Sequence, residues 1–317
     1  MTTFIAYLFA VLKNVVYGTT IFFTGELTEN LDVLDLLALR FLLSFAVFYL
    51  LKITHIVRIG VGVRDFFGKT PRAAAFKSVL LTALFEPVLY MLFETLGVSM
   101  TTGITAGVLL SLSAVTTCIF EVLILKEHCP LLTKILLFVG ILGTAYIAIN
   151  TESTGGKDSP LGIVMILLTV CAGSLFCVFS RKSSRNFRAM EITYISCMLG
   201  AFAFNAVNVV RHLIAGDILH YFDPYFDPAN ITGFVVLAIL STIVATAMNN
   251  FALSKMKGST MAAFAGISTL VTIVVSVAIG GEELRPFHYI GLSLILIRMV
   301  GVSIISIRED RKNSAAK

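Results

Sequence analysis

Charge is what this chain has least of. Only 14% of its 317 residues are charged while 57% are hydrophobic, a balance that leaves a water-soluble domain without enough polar surface to cover itself. Cysteine is sparse too. Cys118, Cys129, Cys171, Cys177 and Cys197 are scattered, with no C-x-x-C spacing and a single adjacent histidine, His128 beside Cys129, so neither a disulfide framework nor a metal site is indicated. Neither H-E-x-x-H nor G-x-S-x-G occurs, and His55, His128, His212, His220 and His288 all fall in loops or near the ends of apolar runs. With no histidine at membrane depth and neither motif present, no enzyme and no cofactor are expected. An ATP-binding motif is also missing. "GVRDFFGKT" has Gly62 and Gly68 one residue too far apart for a phosphate-binding loop, and no strand precedes it.

Long apolar runs are abundant. A bilayer core takes about 20 residues of helix, and runs of that kind lie at 3–24, 33–51, 77–98, 102–125, 131–149, 161–180, 190–214, 231–254, 259–280 and 287–307. The first has no basic flank before it and no small-residue cleavage site, so it is expected to remain as a helix rather than act as a removable signal. The sequence predicts an all-α membrane protein with ten transmembrane helices.

The charges outside these runs alternate by side. Residues 52–77, 126–134, 181–188, 255–257 and 308–317 hold 18 of the 24 lysines and arginines, while acids collect in the remaining connections. Because basic residues mark the cytoplasmic side, an integral multi-pass protein of the plasma membrane is expected, with both termini cytoplasmic. This placement accounts for the net charge of +5 without invoking nucleic acid. Residues 52–77, basic and interleaved with Ile, Val and Phe, are expected along the membrane surface against anionic lipid. Arg211 with His212 sits at a membrane edge, where snorkelling is expected, and "NIT" at 230–232 matches a glycosylation sequon on the outer side.

The segment "NTESTGGKDSP", residues 150–160, is polar and lies near the midpoint, so it reads as a linker. It separates residues 1–149 from 161–307, two five-helix units, with 308–317 as a tail. Each unit ends with a helix, a Glu at its edge, a nearby Pro and a last helix: "LKEHCPLLTKILLFVG" faces "GGEELRPFHYIGLSLI". Five crossings are odd, so the second unit runs inverted to the first, an arrangement found in secondary transporters with a site near the midplane.

Six charges stay inside the runs: Lys13, Arg40, Glu86, Glu94, Glu121 and Arg298. Unpaired, they would cost on the order of 15–20 kcal/mol in total, so they must pair, meet water or shed charge. Depth permits Lys13 or Arg298 with Glu86, and Arg40 with Glu94. Glu86, Tyr90 and Glu94 follow one another at i, i+4 on one helix face, and Pro87 predicts a kink there. Asn249 and Asn250 supply amides at matching depth, and Lys13, Asn14 and Tyr17 add to the polar stripe. These eight residues are the candidate substrate site, facing a wet cavity between the units. Glu86 and Glu94 are the candidates for proton coupling, and Arg40, Glu121 and Arg298 for structural ion pairs.

Several stretches resemble the EamA-type members of the drug/metabolite transporter superfamily. "VYGTTIFFTGELTENLDVLDLLALRFLLSF" is similar to their first two helices, with Tyr17–Gly18 as the aromatic-Gly pair and Arg40–Phe41 as the Arg-Phe of helix 2. "ALFEPVLYMLFETLGVSMTTGITAGVLLSL" resembles helices 3 and 4, and "LILKE" and "IGGEEL" resemble the Glu-ended helices 4 and 9. The resemblance implies two inverted five-helix repeats around a central pathway, and transport of amino acids, metabolites or drugs, commonly outward. The family often has Pro midway along helices 4 and 9; here those neighbourhoods are Ala114 and Leu270, so no helix break is expected from it. Helix 10 commonly has a small residue where Arg298 stands. A lipid flippase or a channel would also use a polar lining, so both remain alternatives to a carrier. The expected partners are a small-molecule solute and membrane lipids, and the sequence leaves a homo-oligomer open.

The charge alternation predicts that green fluorescent protein fused to either end fluoresces, whereas alkaline phosphatase is active only when inserted in the linker. Ends reporting from opposite sides would contradict the even number of crossings.

Overall fold

The computed structural model describes residues 2–57, 59–60, 71–126, 130–152, 158–256, 261, 264–281 and 283–315. Among these every regular element is helical. The longer ones, in order, are α1 (Thr2–Asn30), α2 (Val33–Ile53), α3 (Phe76–Ser99), α4 (Gly103–Leu125), α5 (Leu131–Glu152), α6 (Pro160–Ser183), α7 (Ala189–Ala215), α8 (Pro228–Leu253), α9 (Ala265–Ala278) and α10 (Pro286–Ala315), with two short helical turns, Ile218–His220 and Asp223–Phe226, between α7 and α8. Eight are long and apolar enough to cross a membrane; α5, over Leu131–Ile147, and α9 are shorter apolar helices. Large apolar side chains such as Leu123, Leu131, Phe202 and Ile214 face outward. In water that belt would be untenable, and in lipid it costs nothing. The protein is an integral, multi-pass membrane protein. The surface segment expected at 52–77 lies outside the described residues at 58 and 61–70, as do His128 and Cys129.

Local signals set the helix ends. Asp32 caps α2 by accepting from the Leu34 amide at 2.8 Å, and Asp227 caps α8 by accepting from Ala229 at 3.0 Å, with Pro228 in the first turn where a missing amide hydrogen costs nothing. The linker acid Asp158 holds the start of α4, accepting from the Thr102 amide at 2.6 Å and from the Thr105 hydroxyl. α7 stops at Gly216, whose φ of 76° is a left-handed conformation suited to glycine. α10 continues through the residues expected as a tail, to Ala315.

Packing sorts the helices. α1 lies against α8 and α9, α6 against α3 and α4, α4 against α9, and α2 against α7. α5 and α10 pack chiefly on each other. Their seam is made of glycines: a Cβ at Gly143 would lie 2.8 Å from the Gly291 carbonyl oxygen, and one at Gly291 would lie 2.3 Å from Ile147. Without a hydrophobic drive between helices in lipid, such close backbone approach supplies the dispersion contact that holds the pair. The densest apolar core, with Leu36, Leu37, Phe41, Phe204 and Phe234, joins α2, α7 and α8.

Overpacking that seam is expected to cost about 1–3 kcal/mol, so Gly291→Ala should lower the thermal midpoint in detergent. Gly25→Ala, whose nearest neighbour would be Val98 at 3.7 Å, should instead leave the midpoint unchanged or raise it, because Ala favours helix by about 1 kcal/mol over Gly.

Candidate functional site

Between α1, α3, α4, α6, α8 and α9 lies a cavity of about 90 Å³, enough for several waters. It is lined by Lys13, Asn14, Tyr17, Glu86, Tyr90, Glu94 and Asn249, seven of the eight residues expected there. The eighth, Asn250, points elsewhere: its Oδ1 accepts from Ser180 at 2.7 Å and its Nδ2 donates to Thr193 at 3.0 Å, tying α8 to α6 and α7. Successive residues on a helix do not face the same way, so only one amide of the pair reaches the cavity.

Backbone distortion shapes this wall. α3 departs from helical geometry at Glu86 (φ −141°, ψ 115°), next to Pro87, and resumes at Tyr90. The kink stands where Pro87 predicts it. The i, i+4 spacing therefore carries Tyr90 to Glu94, the Tyr90 hydroxyl donating to the Glu94 carboxylate at 3.0 Å, but not Glu86 to Tyr90. α8 is wound in wide turns over Val235–Ala245, and Thr246, just past them, meets the Tyr17 hydroxyl at 3.1 Å.

The six intramembrane charges divide into two kinds. Arg40 is 1% exposed and donates to Thr242 at 3.0 Å and Ser241 at 3.1 Å on α8; no ion pair joins it to Glu94. Glu121 pairs with Arg181 at 3.4 Å, bridging α4 and α6. Arg298 donates to the carbonyl of Ser111. Lys13 and Glu86 differ from these. Each is less than a tenth exposed, each feels the other's charge, and neither forms an ion pair or a side-chain hydrogen bond among the described residues. Lys13 stacks over the Tyr17 ring at 5.0 Å. Both open onto the cavity, so their remaining hydrogen-bonding capacity points at whatever occupies it.

Ser113, Thr117, Cys177 and Ser268 also line the cavity, and a Cβ at Gly173 would meet the Tyr90 ring at 2.9 Å. Sequence reasoning misses them because small hydroxyls, thiols and glycines barely change hydropathy. Arg211, expected to snorkel, is instead clamped: it reaches Asp32 and, at 2.6 Å, Asp35. Asp35 also accepts from Asn208 at 2.9 Å and meets His212 at 2.7 Å, a knot closing α2 against α7. Asn230 of the sequon is 3% exposed within α8 and donates to the Pro224 carbonyl at 3.3 Å, so it is no glycan acceptor in this fold.

The EamA-like transporter family model matches residues 4–149 and again 160–306. The chain belongs to that family. It is 28% identical, over 94% of its length and 93% of the relative's, to a protein of Bacillus subtilis (strain 168) described as the uncharacterized transporter YcxC. A crystal structure described only as that of a protein superposes with a TM-score of 0.64 over 95% of this chain and 98% of its own, at 16% identity; that likeness shows the fold. The protein is a membrane transporter of the drug/metabolite type, and Lys13 and Glu86 open onto its cavity without a bonded partner among the described residues.

Asp35 anchors three polar neighbours, and an ionic hydrogen bond contributes about 1.5–3 kcal/mol. Asp35→Ala is therefore expected to lower the unfolding midpoint in detergent by the equivalent of about 2 kcal/mol or more, and the exposed Asp217→Ala by clearly less. Equal effects would mean that the knot does not hold α2 to α7.

Proposed function

We propose that the protein is a secondary transporter that moves a small metabolite, of the class of amino acids or amphiphilic drugs, outward by alternating access through this cavity. The observation that carries the reading is that Lys13 and Glu86 face one cavity with no bonded partner among the described residues. A permanent ion pair would have satisfied both at that depth, so leaving both open at a cost of several kcal/mol is understandable if a solute completes them. Glu94 is held by Tyr90, which makes Glu86 the first candidate and Glu94 the second for carrying a coupled proton. Asn14, Tyr17, Tyr90 and Asn249 supply neutral hydrogen-bonding groups around the two charges.

Ten spans in two inverted repeats, residues 1–149 and 161–307, are the architecture this reading adopts. Three observations support it. The family model matches twice, on either side of the linker. The packing is preserved when the halves are exchanged: α1 with α8 answers α6 with α3, and α1 with α9 answers α6 with α4. α3 and α8, counterparts under that exchange, both depart from regular α-helix, α3 at the Glu86–Pro87 kink and α8 in its wide turns over Val235–Ala245. In this frame the basic face is cytoplasmic, the termini lie on that side, and the plasma membrane is the site of action.

Counterflow in proteoliposomes tests the mechanism. A carrier accumulates labelled solute against an excess of unlabelled solute, a channel does not, and a flippase moves labelled lipid alone. Glu86→Gln and Lys13→Met are each expected to reduce transport at least about tenfold, the equivalent of one ionic hydrogen bond, while elution and thermal midpoint stay near those of the wild type. Transport indifferent to both substitutions and to a pH gradient would overturn the assignment.

A further inference from the structure

Arg298 does not line the cavity, yet it stands behind the interruption midway along α4. That helix is regular over Gly103–Leu110 and again over Ser113–Phe120. Between them the backbone tightens: Ser111 donates to Val108 at 3.1 Å, Leu112 to Leu109 at 3.0 Å, and Val115 to Leu112 at 2.9 Å, each three residues back rather than four. In a continuous α-helix the Val115 amide would donate to the Ser111 carbonyl. Here that carbonyl accepts from the Arg298 guanidinium instead. No proline lies nearby to force the interruption.

The arginine is committed to this position. It is 1% exposed, and its Nε and Nη2 have no hydrogen-bond partner. No carboxylate lies within ion-pair reach among the described residues. Gly140 of α5 makes room for its stem: a Cβ there would lie 2.2 Å from the Arg298 Cδ. A buried guanidinium so poorly satisfied is costly, and the one bond it makes is to the carbonyl that the interruption turns outward. On the other face of α4, Leu110 and Ser113 flank the interruption and line the cavity with Thr117 one turn on.

We infer that Arg298 is a positioning residue for the transport site: by taking the Ser111 carbonyl away from the Val115 amide it holds α4 broken, and so sets where Ser113 and Thr117 stand in the cavity wall. It does from the side, through a hydrogen bond, what a proline does by its ring. The inference rests on the cavity being the transport path, but the break itself is independent of that reading.

The test separates the two. In a cysteine-free background, spin labels at Leu123 on α4 and Leu50 on α2 report the lower half of α4. Arg298→Met frees the Ser111 carbonyl for the Val115 amide, and the distance is expected to shift by about 3–5 Å, the arc of a half-helix on relief of a bend of about 20°. Arg298→Lys, which keeps a cationic donor, should stay near the wild type. Adding Val115→Pro to Arg298→Met should restore the wild-type distance, because the proline has no amide hydrogen and its ring rejects the carbonyl four residues back. An unchanged distance in a folded Arg298→Met protein, or a shift that Val115→Pro leaves in place, overturns the inference. Should Arg298→Met fail to fold, Gly140→Ala, which pushes on the same stem, is expected to shift the distance in its place. In a second set of proteins retaining only Cys177, which lines the cavity, N-ethylmaleimide should label the wild type, and Arg298→Met should change the rate several-fold. A distance shift together with a wild-type Cys177 that never reacts would uphold the role of Arg298 and sink the cavity as a path.

Discussion

A bilayer offers no water to its occupants, so every polar group inside this protein has to be satisfied by the protein itself or by what it encloses. Arg40 meets that demand with two hydroxyls of α8, Glu121 with Arg181, and Asn250 with Ser180 and Thr193. Each of these solutions ties two helices together at a fixed height. Arg298 meets it only in part; Lys13 and Glu86 find no bonded partner among the described residues, and both fall on the same cavity. In a solvent this unforgiving, an unmet demand is more informative than a met one.

The same constraint governs the backbone. Irregular main chain is tolerated in a membrane only where other protein groups or an enclosed space take up the displaced amides and carbonyls. α3 bends at Glu86 and α4 is interrupted at Ser111–Leu112, and both irregularities border the cavity. The α5–α10 pair, away from it, is regular and closely packed through Gly143 and Gly291. Two of the backbone irregularities thus border the cavity, with the regular α5–α10 pair away from it as a frame. Arg298 links the two regions, because it comes from the frame and ends on the interruption in α4.

Small side chains carry much of the architecture. Gly143 and Gly291 allow α5 and α10 to touch through their backbones, Gly173 admits the Tyr90 ring, and Gly140 admits the Arg298 stem. Ser113, Thr117 and Ser268 bring hydroxyls to the cavity at little insertion cost. The family match and the likeness to the Bacillus subtilis transporter are expressed over nearly the whole chain, as expected when function is distributed over helix packing rather than gathered in one motif.

By itself the sequence determined the membrane class, because hydropathy is additive along the chain and needs no knowledge of contacts. It also determined the kink at Pro87, since a missing amide hydrogen is a local property. Tertiary structure decided the partners. Height allowed Arg40 to meet Glu94, but the rotation of α2 aims it at α8; Asn249 and its neighbour Asn250 are adjacent in the chain and part by the turn of the helix. It also decided that α4 breaks without a proline, because the group that turns the Ser111 carbonyl comes from a residue 187 positions away. Lateral proximity depends on how helices rotate and tilt against one another, and that is a property of the assembled bundle rather than of any one segment.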